Sequence, residues 1–226
     1  AIALTLVKLS QLVSDLDEIV ELDINPLLAD EHSVVALDAR VRVARSDTAA
    51  HARLAIPPYP NALEGYLDIA GAGRFRIRPV KPEDAEAFVA FARRLSDEDM
   101  RMRFFSPLRA LPSSLLARLT QIDYDREMAF VLFDSTETVA AVGRLAADPD
   151  GERAEFALAV RTDLKGRGIG HALLEKLVAY ARQRGIREVW GNVLPENTTM
   201  LALCRELGFE ISGTGQGLML ATLKLA

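Results

Sequence analysis

Two stretches of this sequence combine residue types that do chemistry. The first is Lys165-Gly166-Arg167-Gly168-Ile169-Gly170. Its glycines let backbone N–H groups approach a ligand with no Cβ in the way. The apolar stripe that follows, Leu173, Leu174, Leu177 and Tyr180, marks a helix opening directly from the loop. Amides in a first helical turn are unpaired and carry the positive end of the helix dipole, which suits a diphosphate. Lys165 and Arg167 add charge beside it. Two other phosphate loops fit less well. A Rossmann fingerprint follows a parallel strand, whereas the strands before this loop read as antiparallel. A Walker loop ends in Gly-Lys-Ser/Thr, which is absent here. The plain alternative is a tight turn with no ligand.

The second stretch is RAEFALAV, residues 153–160. Strand alternation puts Glu155 on one face with Ala157 and Ala159, and Phe156, Leu158 and Val160 on the other, unless a bulge breaks the parity. A lysine amine, with a pKa of about 10.4, is almost wholly ammonium at neutral pH. A carboxylate beside two small residues leaves room for such a group and can take its proton. Glu152 is the second choice for that role, and a solvated strand carboxylate is the alternative. Other reactive types are sparse. His32, His51 and His171 lie far apart without metal-ligand spacing, so no metal is expected, and no Ser-His-Asp set is evident. The single cysteine, Cys204, forbids an internal disulfide and fits a reducing, cytoplasmic setting.

Composition bounds the rest. The 226 residues carry a net charge of −5, which argues against nucleic acid as a general partner. No apolar run approaches the roughly 20 residues of a membrane span, so no membrane partner is expected. No basic-then-apolar leader opens the chain, and its first residue is Ala rather than Met, so something upstream is expected to have been removed.

The elements that must position the two stretches are legible as periodicity. Residues 1–14 read as a helix, and 19–24 and 34–43 as strands. Residues 46–73 carry Pro57, Pro58, Pro60, Gly65, Gly71 and Gly73 with weak periodicity and read as a linker, semi-rigid around IPPYP. From Arg74 a new pattern begins. It runs strand 75–80, a helix from Pro82 to about Leu95, short helices near 97–104 and 113–121, and strands 127–134, 138–147 and 152–160. Helix 168–184, strand 187–193, helix 196–207 and a terminal strand complete it. This order predicts an α/β (α+β) fold: a single mixed, mostly antiparallel sheet flanked by helices, preceded by a small helix-plus-hairpin.

Residues 74–226 resemble the GNAT superfamily of N-acetyltransferases. The family's acetyl-CoA loop, Gln/Arg-x-x-Gly-x-Gly/Ala after the fourth strand, matches Lys165–Gly170 apart from Lys at the first position. Downstream, Asn197, Leu203 and Leu207-Gly208-Phe209 resemble its helix and following strand. The resemblance implies acetyl-CoA as cosubstrate. It also implies that strand 152–160 splays from its neighbour to offer Leu158, Ala159 and Val160 to pantetheine. The amides of Gly166, Arg167, Gly168, Ile169 and Gly170, with Lys165 beside them, are then expected to hold the diphosphate. Asn197 is expected to bond the pantetheine arm, or to serve as a plain helix cap. Glu155 becomes the expected catalytic base. Many relatives place a Tyr where Cys204 stands, to protonate the departing thiolate; here a buried thiol is expected instead, falling on one stripe with Leu201 and Leu207.

Residues 1–45 resemble the C-terminal end of an ATP-grasp domain of NDP-forming acyl-CoA synthetases, with Asp23 and Asn25 in the register of its metal-nucleotide site and no ATP chemistry expected from the remnant. That module, the linker and the acetyltransferase together resemble the large bacterial protein lysine acetyltransferases, as does the segment 95–107, LSDEDMRMRFFSP. The resemblance implies a protein partner with an exposed lysine, notably an AMP-forming acyl-CoA synthetase. Asp97, Glu98 and Asp99 are expected either to attract a basic surface around that lysine or to form a solvated first turn. Acetylation of a small amine and a non-catalytic acetyl-CoA sensor remain the alternatives.

Overall fold

The computed structural model describes residues 2–45, 47, 58–106, 108–215 and 217–225. The chain divides into two compact units, 1–59 and 60–226. In the first, helix α1 (Ile2–Asp15) precedes strands β1 (Ile19–Ile24), β2 (Leu27–Ala29), β3 (Val34–Ala36) and β4 (Ala39–Val43). β1 pairs antiparallel with β4, and the β2–β3 hairpin is nested between them. The single strand expected over 34–43 is therefore two. The chain turns a corner at Leu37 and Asp38, where Leu37 N donates to Pro26 O (3.1 Å) and Asn25 N donates to Asp38 O (3.2 Å). The hairpin tip is closed by Asp30, whose Oδ1 accepts from the amides of His32 and Ser33 at 2.8 and 2.6 Å. Asp23 and Asn25 are exposed.

Part of the expected linker, residues 46 and 48–57, lies outside the described residues. Its last part is not linker. Gly65–Ile69 forms β5, which pairs antiparallel with β6 (Gly73–Pro79) and buries Ile69. The flanking glycines that suggested a loop make the tight turn between these strands, with Gly71 at φ 77° and Gly73 at φ 102°.

From β6 the chain runs through α2 (Ala85–Ala92), α3 (Asp97–Phe104), α4 (Ser113–Thr120), β7 (Glu127–Phe133), β8 (Val139–Ala147) and β9 (Arg153–Val160). It continues through α5 (Ile169–Gln183), β10 (Glu188–Val193), α6 (Thr198–Glu206), β11 (Glu210–Gly213) and β12 (Met219–Lys224). One eight-stranded sheet has the order β11-β12-β10-β9-β8-β7-β6-β5. Every neighbouring pair is antiparallel except β9 and β10. On one face α5 buries Leu173, Leu174 and Leu177 against Phe130, Leu145, Phe156 and Leu158. On the other, Phe88 and Phe91 of α2 pack with Val80, Val131 and Val139, joined by Leu116 and Leu119 of α4. A buried two-pronged ion pair, Arg78 to Asp84 at 2.8 and 2.6 Å, ties β6 to the turn that starts α2.

Candidate active site

The parallel pair is where the sheet opens. β9 and β10 pair only at Arg153–Glu188, Ala154–Val189 and Glu155–Trp190, and the strands part beyond that point. The next residues in register are Phe156 and Gly191. The Phe156 ring lies over Gly191 so closely that a Cβ there would meet Cε1 at 2.6 Å. The ring is braced edge-on by Phe209, at a centroid distance of 5.3 Å. β9 stays fully paired with β8 on its other edge through Val160, with no bulge. Its edge from Ala157 to Val160 therefore faces a gap rather than a strand.

The gap widens into a cavity of about 1120 Å³, lined by Leu158, Ala159, Val160, Lys165, Gly166, Gly168, Ile169, Gly170 and Asn197 among others. At its mouth the loop closes onto α5. The first backbone bond into the helix is Ala172 N to Gly168 O at 3.0 Å. The amides of Gly166, Arg167, Gly168, Ile169 and Gly170 have no backbone acceptor among the described residues, and the helix has no side-chain cap. Gly166 (φ 71°) and Gly168 (φ 79°) hold the left-handed backbone that gathers these donors. A Cβ on Gly166 would meet nothing within 4 Å, so the space over the loop is open. Asn197 caps α6, its Oδ1 accepting from Met200 N at 3.2 Å, while the residue also lines the cavity. The cap engages only the amide oxygen, leaving the Nδ2 donors for a ligand. Five free amides, an unpaired strand edge and an amide donor in one groove fit coenzyme A, with its diphosphate at the helix and its amide-rich arm along β9.

Lys165 departs from expectation. Its ammonium is ion-paired with Asp99 of α3, and Thr162 Oγ1 donates to the other oxygen of that carboxylate at 2.6 Å. Burial works against ionisation of Asp99, but the bonds from Lys165, Thr162 and Ser96 outweigh it and hold the carboxyl below its ordinary value. Asp99 is thus a strut between α3 and the loop and not an attractor of basic surfaces; Asp97 and Glu98 stay exposed. Arg101 makes a second tie, to Glu196 just before α6 (2.8 Å). α3 is therefore held on both sides of the gap, and Met102 and Arg103 reach the cavity from it.

Glu155 lines the cavity, half-buried like Ala157 and Ala159, while Ala154, Phe156 and Leu158 are buried on the opposite face. The alternation read from the sequence thus survives. Glu152 is exposed, bonded to Arg187 at 2.8 Å, and away from the cavity. Cys204 is fully buried in the α5-side core, and burial pushes its thiol up to about 11. Reading the sequence missed Arg103, His171 and Asn192, all of which line the cavity. Asn192 was findable, two residues along β10 from Trp190 and so on the Glu155 face. Arg103 carried no such signal, since the apolar residues of DEDMRMRF have no clear helical stripe.

Comparison with known proteins agrees with this geometry. Residues 74–210 match the acetyltransferase (GNAT) domain family, and residues 1–43 match an ATP-grasp domain. The chain is 32% identical over 136 residues to acetyltransferase PA5475 of Pseudomonas aeruginosa, covering 59% of this chain and 73% of that one. It is 30% identical over 178 residues to acetyltransferase Pat of Mycolicibacterium smegmatis, covering 76% of this chain but only 49% of that protein. Among solved structures, the GNAT domain of S. lividans PAT superposes with a TM-score of 0.69 at 30% identity, over 74% of this chain and 99% of that one. A Sinorhizobium meliloti phosphinothricin acetyltransferase in complex with AcCoA shares the fold, with a TM-score of 0.58 at 18% identity over 67% of this chain and 89% of that one. With glycine loop, splayed strand and family match coinciding on the same residues, the chain belongs to the GNAT acetyltransferases and is an acetyl-CoA-dependent N-acetyltransferase.

Proposed function

We propose that the chain transfers acetyl groups to protein lysine side chains, with Glu155 as general base. The observation that carries this reading is the placement of Glu155: half-buried in the wall of the open cavity, on the face it shares with Ala157 and Ala159. Acetyl-CoA supplies the activated acyl group as a thioester. The amides of residues 166–170 hold its diphosphate, the free edge of β9 and the Asn197 side chain orient its arm, and α3 covers the acceptor side. Glu155 takes the proton from the entering ammonium, directly or through one water, so that a neutral amine faces the acyl group. The departing thiolate needs no dedicated acid, because a thiol is already a fairly strong one. The ATP-grasp match ahead of the acetyltransferase supports a protein acceptor, since that module order resembles the bacterial protein lysine acetyltransferases.

The test is incubation with acetyl-CoA and an AMP-forming acyl-CoA synthetase, followed by mass spectrometry of the acceptor. Wild type is expected to modify a lysine. Glu155→Gln is expected to bind acetyl-CoA normally by calorimetry while kcat falls about 10²- to 10⁴-fold. Equal turnover in the two proteins removes Glu155 from the base role. Modification of free polyamine but of no protein replaces lysine by a small amine, and tight binding with no thiol release for any acceptor leaves a sensor.

A further inference from the structure

Six arginines are buried or half-buried among the described residues, and five have a carboxylate partner. Arg76 pairs with Glu137, Arg78 with Asp84, Arg101 with Glu196, Arg144 with Glu127, and Arg161 with Asp134 and Asp163. The sixth is Arg103. It lines the large cavity with Glu155, and also a small apolar recess of about 30 Å³ beside Ala159. Its guanidinium stacks 4.9 Å from the Phe104 ring centroid and makes no hydrogen bond or ion pair with any described residue. Burial, helped by the like charge of Arg144, pushes Arg103 down to about 10, with Glu155 acting the other way. Glu155 is thus near enough to be felt, yet the two are not within ion-pair distance.

A guanidinium out of water without a partner is an unfavourable arrangement that a ligand carboxylate relieves, because the planar fork of donors matches its two oxygens. The side chain is also well fixed for recognition. α3 is clamped to the diphosphate loop through Asp99–Lys165 and to the approach to α6 through Arg101–Glu196. The neighbouring cations are already taken, Lys165 by Asp99, Arg101 by Glu196 and Arg144 by Glu127. A single free guanidinium suits a singly charged planar anion better than a doubly charged phosphate.

We propose that Arg103 is a specificity residue that binds a carboxylate on the acceptor, so that the preferred lysine is one flanked by an acidic residue. This rests on the reading that the acceptor amine is presented to Glu155, and it adds the chemistry of what surrounds that amine. The acidic neighbour engages Arg103 while the ammonium lies at Glu155, and each charge on the acceptor meets its opposite on the enzyme.

The test compares two N-terminally blocked peptides with one acceptor lysine, flanked by Glu in one and by Gln at the same positions in the other. A second pair of acceptors is a free amino acid and its amide. Wild type is expected to favour the Glu peptide about tenfold or more in kcat/KM. Arg103→Gln and Arg103→Met, each shown to fold by its acetyl-CoA affinity, are expected to bring the ratio close to one, and Arg103→Lys to restore part of it. Equal acetylation of both peptides by wild type overturns the carboxylate subsite and leaves the lysine reading intact. A fall in both peptides by the same factor in the variants also overturns it, because Arg103 then acts on the transfer itself. If neither peptide reacts but the amino acid is favoured over its amide in an Arg103-dependent way, the subsite stands and the protein-lysine reading fails. No reaction with any of these acceptors overturns both.

Discussion

Cys204 stands where the family resemblance places a proton donor, but its surroundings remove it from that work. It is fully buried among core side chains, and desolvation holds its thiol protonated up to about 11. Cys204→Ala is expected to keep kcat within about twofold while costing about 1 kcal/mol in stability, close to one lost methylene-sized group. Steady-state kinetics and urea titration check the two halves of that statement. The burial was readable from the spacing of Leu201, Cys204 and Leu207 on one helical stripe. The partner of Lys165 was not readable, because Asp99 lies 66 residues away in the chain. From sequence, a lysine opening a phosphate loop reads as a phosphate ligand; only the folded contact shows it holding a helix instead. Glu155 was legible for the opposite reason. Its face is set by strict alternation within its own strand, and no bulge intervenes.

Elements carry the next set of expectations. The glycine loop proposed to hold the diphosphate depends on left-handed backbone at Gly166, where there is open space but a φ of 71°. Gly166→Ala is expected to strain the loop by about 1–2 kcal/mol and to weaken acetyl-CoA binding about tenfold, measured by calorimetry, with little change in the melting temperature of the rest. The strut to α3 predicts a different pattern. Asp99→Asn is expected to cost about 1.5–3 kcal/mol, the usual worth of a hydrogen bond to a charged group, and to raise the acceptor KM more than the acetyl-CoA KM. The same carboxylate contributes to acid sensitivity together with Asp134 and Asp163. At Asp134, as at Asp99, burial opposes ionisation and hydrogen bonds, from Thr136 and Arg161 in its case, outweigh it. At Asp163 the bond from Arg161 is the leading influence. All three ionise more readily than a free aspartate. Their contribution to stability is complete above the ordinary value of about 3.9 and is lost as the pH falls through the lower folded values. Urea unfolding is expected to be level between about pH 7 and 5 and to weaken steeply below about 4, less steeply in Asp99→Asn. Helices and central strands were legible because their apolar periodicity is strong. β5 was missed because GYLDI is short, sits at the sheet edge and is flanked by glycines that read as loop.

At the scale of the molecule, the compact unit that carries the family match at 74–210 has its own core and begins at Pro60. A chain of residues 60–226 is expected to bind acetyl-CoA as the longer chain does. A chain of 74–226 loses β5, exposes β6 as a sheet edge and strips buried Ile69, with Leu63 and Leu67, from the core. It is expected to be less stable by at least about 2 kcal/mol, the worth of one buried isoleucine, as measured by denaturant midpoints of the two chains. The first unit shows the reverse balance. α1 has no buried residue, and Ile2, Leu6, Val7, Val41 and Val43 are all exposed. Its resemblance to part of a larger domain was legible in ELDINPLL and VVALDARV, residues 21–28 and 34–41, whereas the corner that splits 34–43 into two strands was not.

The aromatic ring wedged against Gly191 bears on how fast the enzyme charges itself. The two strands part beyond Glu155 and Trp190, so the nucleotide is expected to meet a slot that is already standing open. Capture then needs no prior rearrangement, and in stopped flow the observed rate should climb in direct proportion to coenzyme concentration, without levelling off.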